Sequence, residues 1–437
     1  MSKENNKKWA LVPRLRFPEF RDREGWTAVP MGSLLARNPE YGVNAPAVPY
    51  SKNLPTYFRI TDINEGGRFL SKTKVSVDIA AIDDNYLELG DIVLARTGAS
   101  VGKSYRYRKE DGRLVFAGFL IRIKPEPKKV NSIFLANFLT TNQYWSWVDV
   151  ASARSGQPGI NGTEYSSLLV PVPSSDADGN GLSEQQRIAG CLSSIDELIM
   201  GEIQKLDTLK TYKKGLMQQL FPREGETVPR LRFPEFQNAG RWAVAKLGEK
   251  STVVRGGSPR PIDSYLTHEE DGLNWLKIGD VDKESKFIEK TEEKVIPAAL
   301  GNTRQIHPGD LILSNSMSFG RPYISKIVSC IHDGWLAITD IREQVSPEFL
   351  YYVLCSSTSQ VYFQSLAAGS GVKNLNADTI KQLAISFPGR AEQLRISDCF
   401  AYLDDLIARQ IRKITLLRQH KQGLMQSLFP TVDIDAT

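Results

Sequence analysis

The chain has 437 residues, 41% of them hydrophobic, with 55 Lys and Arg against 50 Asp and Glu for a formal net charge of +5. That length exceeds one ordinary domain and points to about two to four, while the mild basicity admits a nucleic-acid partner without demanding one. No run of about 18 apolar residues is present to cross a membrane, and four cysteines, of which Cys330 and Cys355 have no counterparts in the first half, argue against a disulfide framework and for a reducing cytosol.

The N-terminus, SKENNKKW, leads into a proline-interrupted stretch rather than the apolar core of a signal peptide. Residues 12–20 then read VPRLRFPEF, and residues 228–236 repeat all nine. A second repeat links 195–222 to 403–430, with 14 of 28 aligned residues identical. The chain is therefore two copies of one unit, each a variable segment followed by a constant one. The boundaries read as a conserved N-terminal segment (1–25), a variable domain (26–175), a constant helix (183–222), a linker with the repeated PRLRFPEF (223–240), a second variable domain (241–389), a second constant helix (390–430) and a tail (431–437).

The variable domains share a hidden plan. FRITDIN (58–64) parallels LKIGDVD (276–282), and GDIVLA (90–95) parallels GDLILS (309–314); all read as short strands bounded by turns. Residues 118–123 match 334–339 as a further strand, and 130–147 match 345–364 as one aromatic-rich helix. A Gly-rich loop and a last strand occupy 156–173 and 371–388. The expected fold is mixed, α/β or α+β, around a twisted, partly antiparallel sheet. Phe134, Phe138, Trp145 and Trp147, with Phe349, Tyr352, Tyr362 and Phe363 in the second copy, have helical spacing and read as core rather than as stacking surfaces.

The constant segments read as long helices. Ile188, Leu192, Ile195, Ile199, Leu206, Leu209, Leu216 and Leu220 form a narrow stripe that Ile396, Phe400, Leu403, Ile407, Ile414, Leu417, Leu424 and Leu428 repeat 208 residues later. The helices are expected to start at Ser183 and Glu184, and at Arg390, Ala391 and Glu392, and to stop at Pro222 and Pro430. From Glu184 to Leu220 such a helix would be roughly 55 Å long at about 1.5 Å per residue. The stripe predicts that the two helices pair as an antiparallel coiled coil with Glu202 and Gln410 as polar positions in the seam, placing the variable domains about a pseudo-twofold axis. The alternative is that each helix packs only on its own half.

Signs of catalysis are weak. TGASVGKS (97–104) has the flavour of a phosphate-binding loop but is one residue short between Gly98 and Gly102, and its counterpart keeps only a glycine and a base, Gly320 and Arg321. NPEY (38–41) resembles the Asn-Pro-Pro-Tyr loop that holds a flipped base in amino-methyltransferases, but Glu40 replaces the second proline and no glycine-rich cofactor loop accompanies it. His268, His307, His332 and His420 show no ligand-like spacing, so no metal site is expected. No Gly-x-Ser-x-Gly elbow appears.

KKGLMQQLFP and KQGLMQSLFP, in helices opened by EQQRI and EQLRI, together with the doubled VPRLRFPEF, resemble the DNA specificity subunit of type I restriction-modification systems. The likeness runs the whole length of the chain, and GDIVLARTG followed by Gly102 and Lys103 resembles a recurrent feature of that family's target-recognition domains. The resemblance implies a non-catalytic subunit acting on double-stranded DNA in a bacterial or archaeal cytoplasm. Each recognition domain would read one half of a bipartite, asymmetric target, with the paired helices setting the gap. It also implies two methyltransferase (modification) subunits and motor-nuclease (restriction) subunits; S-adenosylmethionine, ATP and Mg would be held by those partners and no cofactor by this chain.

Base readout calls for donors and acceptors on loops that differ between the halves. The candidates are Tyr57, Arg59, Arg96, Thr97, Lys103, Arg154, Ser155, Gln157 and Asn161 in the first domain, and Lys277, Asn315, Ser318, Arg321, Ser370, Lys373 and Asn374 in the second. The near-invariant Gly215, Met217 and Gln218, with Gly423, Met425 and Gln426, are the candidate partner surface. A coiled-coil scaffold without DNA contact is the alternative; it would have no need of divergent polar loops.

Overall fold

The computed structural model describes residues 11–64, 66–153, 157–174, 180–282, 285–315, 319–368 and 375–432. The chain divides into two compact units, Met1–Ile203 with Arg412–Thr437, and Gln204–Ile411. Both follow one plan.

In the first unit the strand Trp26–Pro30 pairs antiparallel with Leu169–Pro173, so the variable segment enters and leaves at one place. Between these strands lie two four-stranded sheets. One orders Glu40–Tyr41, Leu120–Ile123, Ile92–Ala95 and Ser104–Arg106, all antiparallel. The other orders Ala47–Pro49, Val75–Val77, Thr56–Phe58 and Leu114–Phe116, with a parallel last pair. Ile92–Ala95 is apolar throughout because both its faces are covered: Ile92 and Leu94 join Phe134, Phe138 and Tyr144, while Val93 and Ala95 join Phe58 and Tyr105. The second unit repeats this with two five-stranded sheets, in which Leu311–Ser314 is the matching buried strand and Phe287–Ile288 an added edge.

Several expectations change in detail. FRITDIN and LKIGDVD are each a strand end followed by a 3-10 turn, Ile60–Asp62 and Ile278–Asp280, in which the aspartate accepts the backbone N–H of Arg59 or Lys277 at 2.9 Å. The glycine-aspartate pairs act likewise, Asp91 accepting Glu88 N–H and Asp310 accepting His307 N–H. Burial raises both carboxyls above their ordinary range, against those hydrogen bonds. The repeated acids are thus turn locks. The aromatic-rich segment is two helices, Ser132–Phe138 and Asn142–Ser152, matched by Pro347–Cys355 and Ser357–Ala368. Thr141 Oγ1 and Ser356 Oγ accept from Tyr144 N–H and Ser359 N–H, which restarts the helix where a single one was expected. The Phe residues in them are core, whereas Trp145 remains 37% exposed.

The constant helices span Asn180–Leu220 and Arg390–Leu428, the first starting three residues before Ser183. They pack antiparallel within each unit. In the first, Lys421 bonds both oxygens of Asp196 at 2.8 Å and Lys413 pairs with Glu202, which is buried in the seam. In the second, Lys213 pairs with Asp404. The helices also enter the domain cores, so pairing and packing on the domains both hold. Ile188, Leu192, Met425, Leu428 and Phe429 share one core with Trp26 and Phe134; Leu220, Phe221, Phe400 and Leu403 share the other with Trp242 and Phe349.

The repeated motifs meet in each unit. Arg16 of the first VPRLRFPEF makes a buried two-pronged bond to Glu184, both contacts 2.8 Å, while Leu15 N–H donates to Ser427 O at the end of the second helix. In the second unit Arg232 bonds Glu392 at 2.7 Å twice and Leu231 N–H donates to Gln219 O. Gln185 and Gln393 each accept the N–H of a helix-capping residue, Asn131 or Ser346, at 2.9 Å. Glu184 and Glu392, expected near the helix starts, are buried partners of arginine; Glu392 lies in the first turn of its helix and Glu184 beyond that of the other. All three repeated stretches therefore form one clasp, built twice.

Candidate nucleic-acid interface

The buried strand Ile92–Ala95 delivers the chain to a turn over residues 95–103. Tyr165 Oη donates to Ala95 O at 2.9 Å and Tyr144 Oη to Gly102 O at 2.6 Å, pinning the turn from below. Gly102 has φ +85°, and a Cβ there would lie 2.7 Å from Val148 Cγ1, so only glycine lets the helix approach this closely. The N–H groups of Gly98, Val101, Gly102 and Lys103 donate to Pro158, Gly98, Ala95 and Ser100 carbonyls. Those donors are spent on carbonyls of the turn and of Pro158, and a strand follows, so TGASVGKS is not a phosphate cradle.

Three loops meet above this turn. Arg96 N–H donates to Phe119 O, Ile160 N–H donates to Arg96 O, and Thr97 bridges to Gly159. The Arg96 guanidinium lies 4.9 Å from the Tyr41 ring centroid, and its buried Nε has no acceptor among the described residues. Tyr41 is 50% and Phe119 59% exposed, and Gln157 is exposed beside Gly98. A half-buried arginine, an exposed amide and two exposed rings can address base edges and faces.

The second unit repeats the backbone and changes the side chains. Asn315 N–H donates to Gly334 O, Ser314 N–H to Arg321 O and Gly320 N–H to Ser314 O, matching Arg96 to Phe119, Ala95 to Lys103 and Gly102 to Ala95. Gly320, φ +74°, again lies under a helix, its Cβ position 2.8 Å from Phe363 Cδ2. Gly42 and Gly256 press on the carbonyls of Ala117 and His332 respectively, which puts Arg255 where the first unit has Tyr41. Arg255 Nε donates to Asp333 O at 3.0 Å, Ser258 Oγ to Asp333 Oδ1 at 3.1 Å, and Gly334 N–H to His332 Nδ1 at 2.9 Å. This face presents a carboxylate, an imidazole and a guanidinium in place of the first unit's rings.

Of the expected first-domain residues, Arg96, Thr97 and Gln157 come together, with Lys103 closing the turn. Tyr57 does not join them: it is 3% exposed and its hydroxyl donates to Val43 O and Ala45 O. Arg59 is paired with Asp62 and Lys277 with Glu293. Asn161 caps the helix Gly162–Ser167, accepting Glu164 N–H at 2.9 Å. Asn315 is buried and ties loops together, accepting Leu375 N–H and donating to Asp333 O. Arg321 lies 5.6 Å from the Tyr323 ring. Arg154, Ser155, Ser318, Ser370, Lys373 and Asn374 lie outside the described residues.

Tyr41, Phe119, Arg255, His332 and Asp333 were not among the sequence candidates. A signal existed, since Tyr41 and Arg255 each precede a glycine, but residues 118–123 and 334–339 align one position out of step, which hid Phe119 opposite Gly334. On the candidate partner surface, Gln218, Gln426 and Gly423 are exposed and Gly215 and Met217 half-buried. Met425 is buried beside Leu428 and Phe429, so it serves the core. Among the described residues no cluster of three His, Cys, Asp or Glu could hold a metal, and no helix is long and apolar enough to cross a membrane.

Residues 47–211 and 240–416 each match the model of the type I restriction modification DNA specificity domain. The specificity subunit of the type I restriction enzyme MjaVIII from Methanocaldococcus jannaschii is 21% identical over 423 residues, 94% of this chain and 93% of that protein. A chain of the same organism, provisionally named the MjaX specificity subunit, is 24% identical over 354 residues, 78% of each. The crystal structure of a type I restriction-modification S subunit from M. genitalium has the same fold, with a TM-score of 0.56 at 14% identity over 97% of this chain and 100% of that one.

Proposed function

The chain belongs to the type I restriction-modification DNA specificity family, and from that premise we propose that it reads a bipartite, asymmetric DNA target and directs methylation and restriction by partner subunits. One recognition domain addresses each half-site. The observation that carries this reading is the shared turn with unshared side chains: Arg96, Tyr41 and Phe119 on one backbone, Asn315, Arg255 and Asp333 on its copy. Two scaffolds of one shape bearing different donors and acceptors suit two different base sequences.

The constant helices set the gap between half-sites. At about 1.5 Å per residue the 41-residue first helix is about 60 Å long, ample against the ~34 Å that separates half-sites one turn apart. The chain itself is non-catalytic and holds no cofactor; two modification subunits supply methyl transfer from S-adenosylmethionine, and motor-nuclease subunits use ATP and Mg. Gln218 and Gln426, exposed at matching places, belong to the surface those subunits meet. The protein works on DNA in the cytoplasm.

Single-molecule sequencing of adenine methylation tests this in cells carrying the chain with its neighbouring methyltransferase gene, against cells deleted for the chain. A two-part asymmetric motif that vanishes on deletion is expected. Unchanged methylation would overturn the reading.

A further inference from the structure

The two units differ where the strand after the readout turn faces the constant helices. In the second unit the part of this place next to the strand is filled, and a cleft of about 290 Å3 remains beside Lys286 and Glu348. Tyr351 and Tyr352 project from the helix Pro347–Cys355, and the Lys286 ammonium lies 4.9 and 4.4 Å from their ring centroids while donating to Tyr352 Oη at 3.0 Å. Tyr352 Oη donates in turn to Asp404 at 2.7 Å. The strand Pro322–Ser325 is covered by Phe287–Ile288 and offers Ile324 opposite Leu311.

In the first unit the same place is open. The capping residues Asn131 and Ser346 fix the helix register, so Ala136 and Asn137 replace Tyr351 and Tyr352. Ser104–Arg106 is the bare edge of its sheet, and Arg106 stands opposite Ile92 where Ile324 stands opposite Leu311. The result is a cleft of about 320 Å3 lined by Ala136 and Asn137 and by Arg68, Arg106, Arg108 and Lys109. Glu110 and Glu197 also border it, and Asp196 is taken by Lys421. Among the described residues no ion pair neutralises Arg68, Arg106 or Arg108. Burial, and then the nearby Arg68, push the Arg106 guanidinium below its ordinary value, and Glu110 offsets them only in part.

We propose that this cleft grips a phosphate of the DNA backbone beside the first half-site, a contact that the second unit lacks. The inference rests on the DNA reading above and adds an asymmetry to it. Lys103 ends the readout turn and Arg106 follows three residues along the strand, about 10 Å away at ~3.3 Å per residue, a span of a few base pairs at ~3.4 Å each. Arginine forks suit phosphate oxygens, and Arg68 with Arg106 offers two.

The test is DNA affinity of the assembled methyltransferase complex, measured at several salt concentrations with a target duplex and an unrelated one. Each lost phosphate contact lowers the slope of log K against log salt by about 0.9, so Arg68→Gln with Arg106→Gln, which releases the one phosphate, is expected to lower it by about that much. Affinity should fall by one factor for both duplexes, with the methylated motif unchanged. Arg68→Lys with Arg106→Lys should restore the slope, separating lost charge from lost folding. An unchanged slope overturns the proposal. If the glutamine variant instead weakens assembly with the modification subunit, the cleft takes an acidic protein surface; if it loses only binding of inorganic phosphate, the site serves a free anion. A wild-type complex that binds neither duplex would remove the DNA reading itself, a result distinct from an unchanged slope.

Discussion

The clasps and the turns after the buried strands changed in opposite ways between the two units. At the clasp both backbone and side chains are duplicated: Arg16 on Glu184 and Arg232 on Glu392, Leu15 on Ser427 and Leu231 on Gln219. At the turn the backbone hydrogen bonds are duplicated but Arg96 has become Asn315 and Tyr41 has become Arg255. The difference follows from what each place touches. A clasp residue meets helix ends that are themselves repeated, so it has one solution; a turn side chain meets whatever lies outside.

The largest break in that comparison is expected at the clasp. Removing one partner of a buried ion pair strands the other, at a cost of about 3–5 kcal/mol. Glu184→Ala should therefore destabilise the first unit by that much, and Glu392→Ala the second. The two should not be equal. The Trp26 indole also donates to Glu184, at 3.2 Å, whereas the Trp242 indole N–H has no partner among the described residues. Glu184→Ala thus loses a further hydrogen bond, worth about 1 kcal/mol. Denaturant unfolding of each variant checks this, and equal losses would show that the indole contact is idle.

The next effect lies under the turn. Gly102→Ala puts a methyl 2.7 Å from Val148 Cγ1 at φ +85°, combining overpacking with left-handed backbone strain for about 2–4 kcal/mol. Because that strain is confined to the first unit, discrimination should fail at one half-site while the other keeps its motif. Methylation sequencing reads this directly, and a loss spread over both half-sites would contradict independent reading. Smaller still is Arg96→Ala, which removes a donor from an otherwise intact turn and should relax one or two base positions by about 1–3 kcal/mol.

Much of the architecture was legible. Two copies, the seam stripe and the strands GDIVLA and GDLILS follow from repetition and apolar period. The roles of the repeated polar residues were not legible, because Arg16 and Glu184 are 168 positions apart and nothing local pairs them. Tyr57 misled for the related reason that an aromatic in a variable stretch looks the same in sequence whether its hydroxyl faces out or bonds Val43 O. The turn over residues 95–103 was half legible: Arg96 and Thr97 sit beside conspicuous glycines, but Phe119 enters from a separate strand and could be placed only through its carbonyl contact with Arg96.

The smallest expected effect concerns the helix seam. Lys421 on Asp196 and Lys213 on Asp404 hold the same position in the two units, and all four side chains are partly exposed. Pairs of this kind contribute about 0–1 kcal/mol and are screened by salt. Lys421→Ala should therefore cost less than about 1 kcal/mol, vanish near molar salt and leave the methylated motif intact. What keeps the helices together is apolar burial, since Ile188, Leu192, Met425 and Leu428 lie in one core with Trp26 and Phe134. Leu428→Ala, by contrast, opens that core and should cost about 2–5 kcal/mol, with no response to salt. If Lys421→Ala proved the costlier of the two, charge rather than burial would set the seam, and the ion pairs would rank with the clasp as fixed parts of the fold.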